Sequence, residues 1–207
     1  MSYIENIFVC IAAPLLIAII CISSRGRRPL LFVLGGMTMC LLSSYISTFV
    51  AAVQGADLVT ASLEITPLVE EIMKLLPFLF YMLVFEPGKH TVLDSLLMTA
   101  IGFATFENIC YLSQNGAENF FYLLIRGFGT GAMHVICEAF IGLGILYLWD
   151  RKLIQVAGTV GLLAIAITFH GIYNILVSQT GIPARIGYIM PLITTLFIAF
   201  YGNRHAR

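Results

Sequence analysis

The chain has 207 residues, 59% of them hydrophobic and only 11% charged, with a formal net charge of zero and a mean hydropathy of +0.95. A soluble globular domain carries about a quarter charged residues, so this balance excludes one and marks an integral membrane protein. At about 20 apolar residues per crossing the length holds roughly six to eight spans and no separate soluble domain, and the charge pattern, without a basic run, gives no nucleic-acid partner.

Polar punctuation divides the sequence into seven predicted helices, so the expected fold is an all-α, polytopic transmembrane bundle. The first, Ile4–Ile22, has no basic leader and no small-residue cleavage site, and reads as a retained span rather than a signal peptide. Leu30–Val53 follows a predicted loop Ser23–Pro29, and Pro67–Phe85 follows a predicted loop Gln54–Thr66. Val92–Leu112 is next, then Phe120–Trp149, in which Gly127, Gly129 and Gly131 suggest an interfacial turn or a bend before the true span. Leu153–Val177 and Gly187–Tyr201 complete the set, the last after a predicted loop Ser178–Ile186.

Seven spans put Arg25, Arg27, Arg28, Lys89, Arg151, Lys152, Arg204 and Arg207 on one side and leave only Arg185 in a loop on the other. The excess of basic residues marks the cytoplasm, so the N-terminus is expected outside and the C-terminus inside. Residues 1–207 form one expected domain in the cell membrane, with its motif-bearing core at about 67–174. The five cysteines sit in apolar stretches without a CxxC pair and read as packing residues.

Ionisable groups inside spans are costly and normally face a protein-lined or wet interior. Here they are Glu70, Glu71, Lys74, Glu107, Arg126, His134, Glu138 and His170. The alternating topology puts Glu70 and Glu71 about one turn below the outer surface and Glu107 about one and a half turns below it. His170 and Asn174 fall in the outer half of their helix, so the set is expected to converge on one outer-leaflet cavity.

Four constellations carry the chemistry. Glu70 and Lys74 stand four apart and are expected to pair on one face, with Glu71 turned about 100° away. The plain alternative is that two acids near a helix start only complement its dipole. Phe103, Glu107 and Tyr111 repeat at four and share a face, with Asn108 beside Glu107; a lone glutamate there could serve packing alone. His134 follows glycines that allow a close backbone approach, and Glu138, one turn on, either orients the imidazole or is an unrelated acid. His170 and Asn174 share the last face.

Peptide hydrolysis needs an activated water and donors for the oxyanion. A carboxylate in an apolar cavity is a good base, imidazoles hold water and pass protons, and His with Asn supplies donors. GxSxG and HExxH motifs are both absent from the sequence. No cofactor is expected, although Glu107, His134 and His170 could hold a zinc ion from separate helices.

At these residues the sequence resembles the PrsW family of intramembrane proteases, itself similar to the CAAX-protease and bacteriocin-processing group. The resemblance rests on EExxK (Glu70, Glu71, Lys74), FxxxE with a following Asn (Phe103, Glu107, Asn108), an isolated His134 and HxxxN (His170, Asn174), in that order from about Pro67 to Asn174. It implies cleavage of a single-pass membrane protein, typically an anti-sigma factor, on its extracytoplasmic side at the start of a stress-signalling cascade. The family commonly has Asp where this chain has Asn174, which favours an oxyanion or positioning role over a base there. Glu138 lies outside the family pattern.

The expected function is thus an intramembrane endopeptidase in which Glu70 or Glu71 with His134 activates water, His170 and Asn174 stabilise the oxyanion, and Glu107 tunes that network. A non-catalytic protein that binds transmembrane helices is the alternative. A proton-coupled transporter is a weaker one, because the sequence shows neither an internal repeat nor paired broken helices.

Overall fold

The computed structural model describes residues 3–86, 88–116 and 119–205, without the side chains of 25, 152, 153, 198, 199 and 201–205. Among the described residues the apolar runs become seven long helices. These are α1 (Ile4–Cys21), α2 (Ser24–Gln54), α3 (Thr66–Phe85), α4 (Val92–Asn115), α5 (Phe120–Tyr147), α6 (Lys152–Val177) and α7 (Ile182–His205).

Four predicted boundaries are corrected, each for a local reason. The loop expected at Ser23–Pro29 is the start of α2, which begins after an extended Ser23 and runs through Pro29. A proline in the second turn forgoes one hydrogen bond without stopping the helix. The loop expected at Gln54–Thr66 is largely helical. Gly55, at φ +64°, ends α2. Asp57 then accepts the Thr60 N–H at 2.7 Å and starts the turn Leu58–Thr60, which passes into a π-helical turn, Ala61–Ile65, and directly into α3. The wider turn accommodates Pro67, which has no N–H to give to the preceding helix. The glycine series neither delays nor breaks α5, whose interior packing holds it helical from Phe120 to Tyr147. Finally, α7 starts at Ile182 rather than Gly187, with Pro183 in its first turn, where proline fits.

Two glycines fix the closest helix contact. A Cβ on Gly36 of α2 would lie 2.0 Å from the Thr99 carbonyl oxygen of α4, and one on Gly102 of α4 would lie 2.0 Å from the Val33 carbonyl oxygen of α2. The backbones therefore touch, as small residues permit between membrane helices. Phe103, Phe106 and Met37 fill one core beside this crossing, and Phe78, Leu96, Met133 and Ile141 fill another between α3, α4 and α5.

Five stretches are long and apolar enough to cross a membrane: Ile4–Cys21, Gly26–Gln54, Lys89–Asn115, Phe120–Tyr147 and Ile154–Val177. The protein is a multi-pass integral membrane protein, and large side chains such as Ile20, Phe49, Leu83 and Phe128 face outward, where lipid would cover them. Helix α3 interrupts its apolar run with Glu70, Glu71 and Lys74. The Lys89–Asp150 ion pair (2.8 Å) ties the α3–α4 turn to the α5–α6 turn, so these two turns share one end of the bundle. Of the basic residues used for orientation, Arg207 and the side chains of Arg25, Lys152 and Arg204 lie outside the described residues.

Candidate active site

Near the opposite end, α3 to α7 and the π-helical turn enclose a cavity of about 310 Å³. Glu70 from α3, Glu107 and Tyr111 from α4, Arg126 from α5, and His170 and Asn174 from α6 are among its lining residues. Ser62 and Ser178, beside the turns of that end, line it too. Of the motif residues, Glu70, Glu107, His170 and Asn174 thus meet at one cavity close to one end of the bundle, while Glu71, Lys74, His134 and Glu138 do not line it.

Behind the cavity wall lies a buried polar cluster centred on Lys74, which has no solvent exposure. Its ammonium donates to Glu71 Oε1 at 2.7 Å and to His134 Nδ1 at 3.1 Å, and stands 3.8 Å from Glu138 Oε1. The Phe103 ring covers it, with its centroid 5.6 Å from Nζ. The expected Glu70–Lys74 pairing is replaced by Glu71–Lys74, three apart instead of four. Both spacings put side chains within reach, and the inward turn of Lys74 towards His134 selects Glu71. Glu70 is left facing the cavity.

An ammonium only donates, so His134 Nδ1 accepts and the ring proton sits on Nε2. That Nε2–H donates to Glu107 Oε2 at 2.6 Å. Glu107 is held from its other side by Arg126, which also donates to Asn108 Oδ1 at 2.5 Å and stacks on the Tyr111 ring at 3.6 Å. On α6, His170 Nδ1–H donates to Glu71 Oε1 at 2.7 Å, which turns Nε2 towards Glu70 Oε2, 3.8 Å away. The two imidazoles meet edge to face, with centroids 5.2 Å apart. Glu138 does not orient His134: both its carboxylate oxygens are buried without a hydrogen-bond partner.

Asn174 lines the cavity, but its amide donates to the Ser62 carbonyl at 3.0 Å, an oxygen in the π-helical turn. This contact was not legible in the sequence, because Ser62 lies in a stretch read as loop. Arg126 was visible only as a charge in an apolar run. Thr130 and Tyr173 (2.9 Å), and Tyr122 and Tyr188 (3.2 Å), are further cavity-wall contacts between helices distant in sequence.

A family profile described as PrsW family intramembrane metalloprotease matches residues 28–201. The chain belongs to the PrsW family. No curated protein and no solved structure matches it significantly. The family's name implies a metal ion, and the donor geometry fits one. One oxygen of Glu70 and one nitrogen each of His134 and His170 lie within 4.8 Å of one another. Two ligands on one tetrahedral zinc stand about 3.4 Å apart, close to the Glu70–His170 separation. His170 also makes the carboxylate hydrogen bond that commonly orients a metal-binding imidazole. This grouping has Glu70 where the sequence reading had Glu107, because Glu107 is engaged by His134 Nε2 and Arg126. For His134 Nε2 to join as a neutral imidazole, its proton must leave and Nδ1 must take one from the Lys74 ammonium that donates to it.

Proposed function

We propose that this PrsW-family protein is an intramembrane endopeptidase that hydrolyses a peptide bond of a single-pass membrane protein near its extracytoplasmic end. An anti-sigma factor in a stress-signalling cascade is the substrate class that the family resemblance favours. The observation carrying the proposal is that Glu70, Glu107 and His170 line one small polar cavity from three helices, with the buried His134 of a fourth bonded to Glu107 behind its wall.

Glu70, His134 and His170 would hold a metal ion. When bound, it would supply a Lewis acid that polarises the scissile carbonyl and acidifies a water. Glu107 accepts the proton of the attacking water and passes it to the leaving amine, with Arg126 holding the carboxylate in place. Glu71 orients His170 and keeps Lys74 paired, so of the two neighbouring acids only Glu70 meets the substrate. Asn174 uses one amide N–H on Ser62 and has a second to offer a substrate carbonyl.

A helix engages its own peptide groups in hydrogen bonds, so the substrate enters as locally unwound chain. All seven helices cross the membrane in this reading, with the N-terminus outside, so the cavity end is extracytoplasmic.

The test compares new protein N-termini in membranes of cells making the wild type or Glu107→Gln at matched levels. Cleavage products specific to the wild type, mapping near the extracytoplasmic ends of single-span proteins, are expected. Identical N-termini from both under several envelope stresses would contradict proteolysis and favour the helix-binding alternative.

A further inference from the structure

The far end of the bundle holds a second cleft, of about 490 Å³, between the start of α2 and the end of α3. Its floor is apolar, made by Leu31, Phe32, Pro77, Phe80 and Phe85. Leu31, Phe80 and Phe85 are more than half exposed. Ser24, Arg27 and Arg28 stand at the polar end, and among the described residues no acidic one lines the cleft. The two arginines differ. Arg27 is committed, donating to the Ile22 carbonyl at 2.9 Å and the Ile20 carbonyl at 3.2 Å at the end of α1. Arg28 is half-buried, and among the described residues its guanidinium has neither a hydrogen bond nor an ion pair.

A cation beside an apolar groove on a membrane-facing surface has a specific complement. Water serves the guanidinium poorly where the neighbouring surface is covered by acyl chains, and a phosphate diester matches its planar fork with two parallel hydrogen bonds. The groove below then takes an acyl chain. We infer that this cleft binds an anionic phospholipid, its phosphate at Arg28 and Ser24 and one chain along Leu31, Phe32 and Phe80.

Bound there, the lipid clips the start of α2 to the end of α3, whose other end carries Glu70. Ten to fifteen residues separate Glu70 from Phe80 and Phe85, about 15–22 Å of helix. The site is therefore distinct from the cavity, and the inference stands independently of the protease reading.

The test uses the full chain, delipidated in detergent, with phosphatidylglycerol or phosphatidylcholine of identical acyl chains, or inorganic phosphate alone. Lipid retention in native mass spectra and the melting temperature are the readouts. Phosphatidylglycerol should bind the wild type about tenfold or more tightly than phosphatidylcholine, and Arg28→Gln should remove that preference. Arg28→Lys, which keeps the charge without the fork, should fall between them and covers the case in which the glutamine variant does not fold. Equal binding of the two lipids, or an unchanged preference in folded Arg28→Gln or in Arg28→Lys, would overturn the inference. So would full stabilisation by phosphate alone, which would make the site one for a free anion.

Discussion

Lys74 holds the polar cluster together, because its ammonium satisfies Glu71 and His134 at once and faces Glu138. Removing one partner of a buried pair leaves the other uncompensated, at about 3–5 kcal/mol. Glu71→Met should therefore lower the melting temperature sharply, and it should weaken zinc binding because His170 loses the acceptor that orients it. Second-ligand losses of this kind cost about 10–100-fold in metal affinity. Glu138→Met should behave oppositely. Its carboxylate oxygens have no hydrogen-bond partner, so an apolar side chain of similar size should leave the melting temperature unchanged or raise it. A collapse of Glu138→Met comparable to that of Glu71→Met would show that the Lys74–Glu138 contact matters more than its geometry indicates. At this scale the sequence was informative about which residues assemble, since charges and imidazoles in apolar runs must find one another. It was silent on their pairing, because Lys74 can reach acids three or four positions back and only its tertiary surroundings choose.

Among the elements, the π-helical turn before α3 was the least legible. Pro67 marked a helix start well, but Asp57, a preferred N-cap residue just after the helix-ending Gly55, was read as loop although the helix begins at Leu58, nine residues before Pro67. The contact that pins this turn comes from α6, through Asn174 and the Ser62 carbonyl. Asn174→Asp installs a carboxylate, which cannot donate to that oxygen. The variant should lose about 1–3 kcal/mol of stability, with the loss read as earlier hydrogen exchange across residues 58–66. Unchanged exchange there would mean that the turn does not depend on Asn174. The α2–α4 crossing makes a second test. Gly102→Leu would drive a side chain into the Val33 carbonyl, so a substantial fall in melting temperature is expected, with Glu107 displaced on the same helix. The glycine was visible in the sequence, but its partner helix was not, since close approach is a property of two backbones.

For the whole molecule, apolar periodicity sufficed to read an all-α membrane bundle, and alternating turns sufficed to gather the polar motifs towards one end. The orientation remains a proposal from the arginine and lysine distribution. It is checked by single cysteines at Gln179 and Asp150 in a chain whose native cysteines are replaced. An impermeant thiol reagent outside intact cells should label position 179 and leave position 150 unlabelled; the reverse would invert the assignment and put the cavity at the cytoplasmic end.

If Glu70, His134 and His170 form one metal site, the zinc content of the purified protein in nanodiscs reports it. Wild type dialysed against buffered zinc should retain about one ion per chain, and a folded variant combining Glu70→Gln, His134→Ala and His170→Ala should retain none. Equal retention by both, or none by the wild type at any zinc concentration that leaves it folded, would rule out a metal site at these three residues.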